Sequence, residues 1–455
     1  MGIAVKVRLG PMILSLFPES VKDPARPYNN GPMGLSSRAA ELRPSPTLAI
    51  EAKAKAMRAA GQDVLSLSAG EPDFDTPEHI KAAAAAAMKA GFTKYTPASG
   101  IPELKAAVAK HVKAGQGLDY DPKQVVIGCG AKHVIANAIT ALVDVGDEVL
   151  IPAPFWVSYP AMVRLAGGTP RIVYADGETR IWNPDEAYLT PVEAGYKLSP
   201  AALAKGLNAK TKMVILNAPS NPTGIVYTPA EFEGLAAVLR KFPHAWILSD
   251  EIYDCLVYVG VAKSIAAVAP DLKPRVILVN GVSKTFAMTG WRIGWALGAA
   301  EVIGAIGNLQ SQTTSNPTSI AQKAALAALE GPQDSVAKMH AEFAKRRLLI
   351  AEGLSKIPGF RVAPADGAFY AFPDVRGVWE NQPAVRRLGL DPAKGPKGFS
   401  AALAGHFLEA AKVAMVPGGE FGLECHLRLS FATSPEIISQ AVSRISDAVS
   451  TLVKG

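Results

Sequence analysis

Between about residues 80 and 300 short β-rich runs alternate with stretches of helical period. The runs fall at 124–127, 148–151, 213–216, 246–249 and 276–279. Strands that are apolar on both faces, each followed by a helical stretch, predict βαβ units and a mostly parallel sheet covered by helices. Ligands in such sheets bind beyond the carboxyl ends of the strands. Four of the five runs end on residues with chemistry or turn character: Gly128-Cys129-Gly130, Asn217-Ala218-Pro219, Asp250-Glu251 and Asn280-Gly281-Val282-Ser283-Lys284. An Ala-rich helix is expected at 81–90. After about residue 318 the pattern turns helix-rich, with a strong helix over 334–354 beyond the Gly331-Pro332 break and a shorter α+β tail. Segments 176–199 and 374–400, rich in Pro, Gly and charge, read as long surface loops, and long loops beside a cleft can act as lids.

This pattern divides the chain into an N-terminal extension (1–33), a segment joining the small domain (34–77), a large ligand-binding domain (78–318) and a small C-terminal domain (319–455). The extension collects Pro and Asn and lacks helical period. It reads as disordered, as a targeting peptide, or as the product of a start codon upstream of Met33. Glu19 and Asp23 count against a transit peptide, and no apolar core with a small-residue cleavage site marks it for secretion.

Composition narrows the partners. With 455 residues, 49% of them hydrophobic, the chain can bury two sizeable cores. Its net charge of +7 is spread without a Lys/Arg block, which argues against nucleic acid and suits anionic small molecules. Cys129, Cys255 and Cys425 form no CxxC pair, so neither a disulfide framework nor a zinc site is indicated, and a reducing, cytoplasmic setting is expected. No apolar run approaches the ~20 residues that span a bilayer, and the histidines show no metal-ligand spacing.

The residues with chemistry lie at the strand ends. Lys284 is set among Val282, Phe286, Ala287 and Met288, where lost hydration favours the neutral, nucleophilic amine; a lysine reaching out of a packed loop is the plainer alternative. Gly128-Cys129-Gly130-Ala131-Lys132 opens a helix, and its free N–H groups suit a phosphate, although glycine turns before helices are common. Arg292 offers a second, bidentate phosphate partner. Asp250 closes an apolar strand, where a carboxylate needs a cation such as a pyridinium nitrogen. Tyr253 and Asn221 can donate to a phenolate oxygen, Asn221 being equally at home as a turn residue before proline. Together these residues describe a site for pyridoxal 5′-phosphate.

At this point the chain resembles the fold type I aminotransferases of class I/II, and within them the aspartate aminotransferase subgroup Ib. The resemblance runs from about Gly34 to the C-terminus. It rests on Ser68-Ala69-Gly70-Glu71-Pro72-Asp73-Phe74-Asp75-Thr76-Pro77, Tyr95-Thr96-Pro97, Phe155-Trp156-Val157-Ser158-Tyr159-Pro160, Asn221-Pro222-Thr223-Gly224, Ser249-Asp250-Glu251-Ile252-Tyr253, the lysine motif from Ser283 to Trp295, and Leu427-Arg428-Leu429-Ser430-Phe431. It implies a large domain with a mostly parallel, seven-stranded sheet between helices, plus a smaller α+β domain. It also implies roles. Lys284 would hold the cofactor covalently and relay a proton from substrate Cα. Asp250 would keep the ring nitrogen protonated, Asn221 and Tyr253 would bind the ring oxygen, and Trp156 would stack on the ring. Gly130, Ala131, Lys132, Ser283 and Arg292 would surround the phosphate. Tyr95 would reach the phosphate of a neighbouring subunit, which implies a homodimer. Arg428, helped by the Gly70 backbone and with Trp156 and Asn221 nearby, would bind the substrate α-carboxylate.

Substrate choice follows from the same resemblance. The other aspartate subgroup reads the distal carboxylate with a partner-subunit arginine, and residues 301–345 hold none. Subgroup Ib uses a lysine in the phosphate turn, which Lys132 matches, so aspartate and glutamate are the expected donors and 2-oxo acids the acceptors. Arg43, Thr47 and Lys132 match the set carried by members that also transaminate prephenate. An aminotransferase for aromatic or neutral amino acids and a carbon–sulfur β-lyase are the competing enzymes. A cofactor-sensing domain of a transcription regulator would need a DNA-binding module that 32 residues do not provide.

Overall fold

The computed structural model describes residues 46–183 and 195–454, together with Ser36 and Leu42. Arg43, most of the N-terminal extension and residues 184–194 lie outside the described residues.

Thirteen strands are present among the described residues. After β1 (Leu65–Ser66) come the strands of the large sheet: β2 (Val125–Gly128), β3 (Glu148–Pro152), β4 (Thr169–Val173), β5 (Thr179–Ile181), β6 (Thr211–Asn217), β7 (Trp246–Asp250), β8 (Val276–Gly281) and β9 (Gly294–Leu297). They form one eight-stranded sheet in the order β2-β9-β8-β7-β6-β3-β4-β5. The five apolar runs are β2, β3, β6, β7 and β8, and the four pairings joining β4, β3, β6, β7 and β8 are parallel. Their side chains are buried on both faces, as in Val149, Leu150 and Ile151, because helices cover the sheet on either side. The sheet has one strand more than the seven expected. The addition is β5, a short edge strand antiparallel to β4, which places ordered structure inside segment 176–199. Antiparallel β9 inserts between β2 and β8 and carries Gly294 against the backbone of Ala131, where no side chain would fit.

Helix starts follow local chemistry. The helix Pro229–Leu239 begins with a reciprocal capping box between Thr228 and Glu231 and has proline in its first turn. The Ala-rich helix runs Glu78–Lys89 and the long helix Asp334–Ser355. Helix Ser319–Glu330, assigned by pattern to the second domain, buries Ala321, Ala324, Ala325 and Ala328 in the core that also holds Ile80, Leu104 and Val108. We therefore place the change of core near Gly331.

The second core is built on β10 (Tyr370–Ala371), β11 (Val413–Ala414) and β13 (Leu427–Ser430), with helices Asp334–Ser355 and Pro435–Lys454 packed together, while the neighbouring β12 (Val416–Pro417) turns Val416 into the core of the large sheet. Strand β13 lies between β10 and β12, antiparallel to both, while β1 pairs in parallel with β11 and ties the N-terminal segment to this part. Segment 374–400 is not a plain surface loop. It contains helices Arg376–Trp379 and Gln382–Arg387, capped at Asn381, whose Val378, Ala384 and Val385 are buried in this core. Its few apolar residues face inward, and the polar majority that suggested a loop is the solvent side of packed helices. Among the described residues no helix is long and apolar enough to cross a membrane.

Candidate active site

The fully buried strand β8 ends in Gly281, and a single helical turn, Val282–Thr285, carries Ser283 and Lys284 beyond its carboxyl end. A Cβ at Gly281 would lie 2.9 Å from Gly294 Cα, so the turn can pass β9 only with glycine there. Lys284 is half-buried, and its Nζ donates to Gly70 O at 2.5 Å. Desolvation pulls its ammonium down to about 8, helped by Arg292 and Arg428 and opposed by Glu71 and Asp250. A lysine prepared to lose its proton near neutrality results.

Asp250 stands at the end of the adjacent strand β7, 4% exposed. Its Oδ2 accepts from Tyr159 Oη at 2.6 Å and its Oδ1 from Ile252 N–H at 3.3 Å. Burial raises this carboxyl to about 6, against those hydrogen bonds and the Lys284 charge. From β6, Asn217 Nδ2 holds the Asp250 carbonyl at 3.0 Å, and Asn217 Oδ1 accepts from Asn221 N–H at 3.0 Å. Tyr253 Oη lies 2.8 Å from Tyr370 Oη, and burial pushes both phenols up.

Strand β2 ends in the glycine turn. Gly130 has φ +89° and opens helix Ala131–Leu142. Arg292, itself left-handed at φ +56°, folds its guanidinium over the turn, donating to Thr289 O at 2.9 Å and Cys129 O at 3.3 Å. His133 Nδ1 accepts from Cys129 N–H at 3.3 Å and steadies the same turn. Lys132 projects from the first helical turn and places its Nζ 5.0 Å from the centre of the Trp156 ring. Desolvation in the cleft and Arg292 hold its ammonium below the usual lysine range. Trp156 meets Tyr159 edge-on at 5.2 Å.

The opposite wall comes from the second core. Arg428, on the central strand β13, is 2% exposed. It donates to Ser68 O at 2.7 Å and Asn221 Oδ1 at 3.1 Å, while its buried Nε has no partner among the described residues. Its guanidinium lies 4.6 Å from the Tyr370 ring centre and 5.1 Å from that of Phe421. Its two Nη groups hold only neutral oxygens among the described residues, so this buried cation can still take a carboxylate from a ligand.

These walls enclose a cavity of about 630 Å³. Lys284, Asp250, Tyr253, Ser283, Asn221 and Arg292 line it, joined by Ala131, Lys132, Trp156, Gly70, Thr47 and Arg428. Gly130 lies directly behind Arg292: a Cβ on it would meet Nη2 at 2.6 Å. Tyr95 is elsewhere, 89% exposed beside a separate groove with Thr314 and Ser319. Tyr159, Tyr370, Glu71 and Ser68 complete the surroundings without having been singled out from sequence. Tyr159 sat in the Phe155 to Pro160 motif, whereas nothing marked Tyr370, which arrives from the other core.

The residues fit pyridoxal phosphate on their own terms. The cradle at Gly130 leaves no room for a side chain and faces a guanidinium, and the buried carboxylate of Asp250 and a lysine of lowered pKa line the same cavity. Fold and site together define a transferase of fold type I. The chain belongs to the aminotransferase class I and II family, whose sequence profile matches residues 62–445, and is an aminotransferase. It is 46% identical to an aspartate/prephenate aminotransferase of Cereibacter sphaeroides over 413 residues, 90% of this chain and 97% of that one. It is likewise 46% identical to an aspartate aminotransferase of Geobacillus stearothermophilus, over 91% of this chain and 98% of the relative. Among solved structures, an aspartate aminotransferase from Rhizobium meliloti superposes with a TM-score of 0.82 at 39% identity, covering 92% and 99% of the two chains.

Proposed function

We propose that the chain is a pyridoxal 5′-phosphate-dependent aminotransferase that takes the amino group of aspartate or glutamate and delivers it to a 2-oxo acid, working as a cytoplasmic homodimer. The observation that carries this reading is one cavity lined by a lysine of lowered pKa, Lys284, and by the further cations Arg428 and Lys132. Two such cations suit a substrate with two carboxylates.

The cofactor, when bound, supplies an electron sink for the pair left at substrate Cα. Gly130, Ala131, Ser283 and Arg292 would hold its phosphate, Asp250 its ring nitrogen, Asn221 and Tyr253 its ring oxygen, and Trp156 its face. Tyr95 would serve the phosphate of a neighbouring subunit, in keeping with its exposure on the isolated chain. The substrate α-carboxylate meets Arg428, whose fork is prepaid in geometry by Ser68 and Asn221. Lys284, whose ammonium burial pulls down to about 8, gives up its proton far more readily than an ordinary lysine. It removes the Cα proton and returns it on the far side of the exchange, which is general acid–base work by one group. Burial of Asp250, Tyr253 and Arg428 keeps water from the polar contacts and strengthens them.

Lys132 at the cleft mouth would read the distal carboxylate. A β-lyase acting on a thioether has no use for it there. Prephenate is a second acceptor supported by Thr47 and Lys132 on the cavity wall and by likeness to the Cereibacter protein and to an aspartate/prephenate aminotransferase of Nitrosomonas europaea, 43% identical over 92% of this chain. Steady-state transamination with aspartate and glutamate against oxaloacetate, 2-oxoglutarate, prephenate and phenylpyruvate tests this. Turnover of the dicarboxylic pairs is expected; turnover of aromatic or monocarboxylic partners alone would overturn the assignment of Lys132.

A further inference from the structure

One carboxylate on the cavity wall has no part in the chemistry above. Glu51 lies on helix Pro46–Ala59, four residues after Thr47, and lines the cavity with it. In a cleft that admits dianions an acidic wall residue is unfavourable by charge alone, yet both of its oxygens are engaged. Oε2 accepts from Ser66 Oγ at 2.6 Å and from Ser68 Oγ at 2.7 Å, and Oε1 accepts from Arg58 Nη2 at 2.9 Å. Burial pushes the Glu51 carboxyl up, but the two hydroxyls and Arg58 outweigh it and leave the group below the usual range, hence ionised.

Ser68 is the link. Its side chain is fully buried, and its carbonyl is the acceptor for Arg428 Nη2. On one side the preceding carbonyl, Leu67 O, is fixed by Ser430 N–H at 2.7 Å. Glu51 fixes the other side by holding the Ser68 hydroxyl, so the direction of the Ser68 carbonyl depends on both. Without the carboxylate, Ser66 and Ser68 have mainly each other, at 3.0 Å.

We propose that Glu51 is a positioning residue which, through Ser68, sets the guanidinium of Arg428 and holds it in register with the helix that carries Thr47. This rests on the reading of Arg428 as the α-carboxylate partner. The test uses the full-length, cofactor-loaded enzyme and two readouts, the kcat and KM for aspartate and the dissociation constant of maleate, an unreactive dicarboxylate. Glu51→Gln is expected to raise the KM and weaken maleate about ten-fold, the scale of one lost charge-assisted hydrogen bond, with kcat within about three-fold. Ser68→Ala should do the same, and the double variant should lose no more than either single, since both act through one contact. Additive losses, or a lowered thermal midpoint with unchanged KM and maleate binding, would overturn the proposal and leave Glu51 a structural residue. Arg428→Lys, measured alongside, separates the two failures. If it weakens maleate and Glu51→Gln does not, only this inference falls; if it leaves maleate unchanged, the α-carboxylate assignment falls and takes the inference with it.

Discussion

The lysine wall and the arginine wall of the cavity are built by different means. Lys284 and Asp250 follow the carboxyl ends of the adjacent strands β8 and β7, and the Gly130 turn follows β2, one strand further along the same sheet beyond β9, so backbone hydrogen bonding gathers them at one edge. Arg428 belongs to a different sheet and core, and its position depends on side-chain and carbonyl partners drawn from Ser68 and Asn221, far away in sequence. The first wall is rigid by topology and the second by a hydrogen-bond network. Substitutions on the lysine wall should therefore remove chemistry, and those on the arginine wall should act on binding first.

The largest effect is expected for Lys284→Ala: at least about a thousand-fold loss of turnover together with loss of the pH-sensitive cofactor absorbance. Substantial activity in that variant would end the assignment. The same lysine has a stability signature in the cofactor-free protein. Its folded pKa, about 8, lies below the ordinary 10.5, so its buried charge is destabilising in full below pH 8, and that cost fades as pH rises from about 8 towards 10.5. Lys284→Met should raise the thermal midpoint at pH 7 and do so less at pH 10.

Asp250→Asn comes next, with a loss in kcat of about a hundred-fold or more from removal of a buried charge aimed at the reacting system. Stability should move the other way. Because the folded carboxyl titrates near 6 rather than 3.8, stability falls as pH rises from about 4 to 6, and the penalty is complete above 6. The cofactor-free Asp250→Asn protein should be at least as heat-stable as the parent at pH 7, and a large drop in its midpoint would contradict the cause assigned to that shift.

On the arginine wall, Arg428→Lys should cut kcat/KM for aspartate about a hundred-fold, mainly through KM, because a point charge cannot replace the two-toothed fork. A loss confined to kcat would blur the contrast between the walls. The smallest effect is expected at Lys132, on the cavity wall beside Trp156. Lys132→Ser should lower kcat/KM about ten-fold for dicarboxylic substrates and leave aromatic amino acids nearly unchanged; equal losses would reduce Lys132 to a neighbour of the phosphate.

The sequence by itself determined the lysine wall. Apolar runs that ended on Gly128, Asn217, Asp250 and Gly281 marked strand ends, and strands of one parallel sheet deliver their ends to one place. Motif resemblance added Arg428, Lys132 and Thr47 to the list, but not the contacts that hold them. Only the tertiary structure decided those. Tyr370 beside Tyr253, Tyr159 on Asp250 and Glu51 behind Ser68 are contacts between residues 17 to 117 positions apart, and no local period encodes such distances. Likewise the polar composition of 374–400 read as a loop because its helices bury only a few side chains each, and the alanine-rich helix Ser319–Glu330 carried no sign of which core it would join. Periodicity reports that a face is buried; which partner buries it is fixed only when the chain packs.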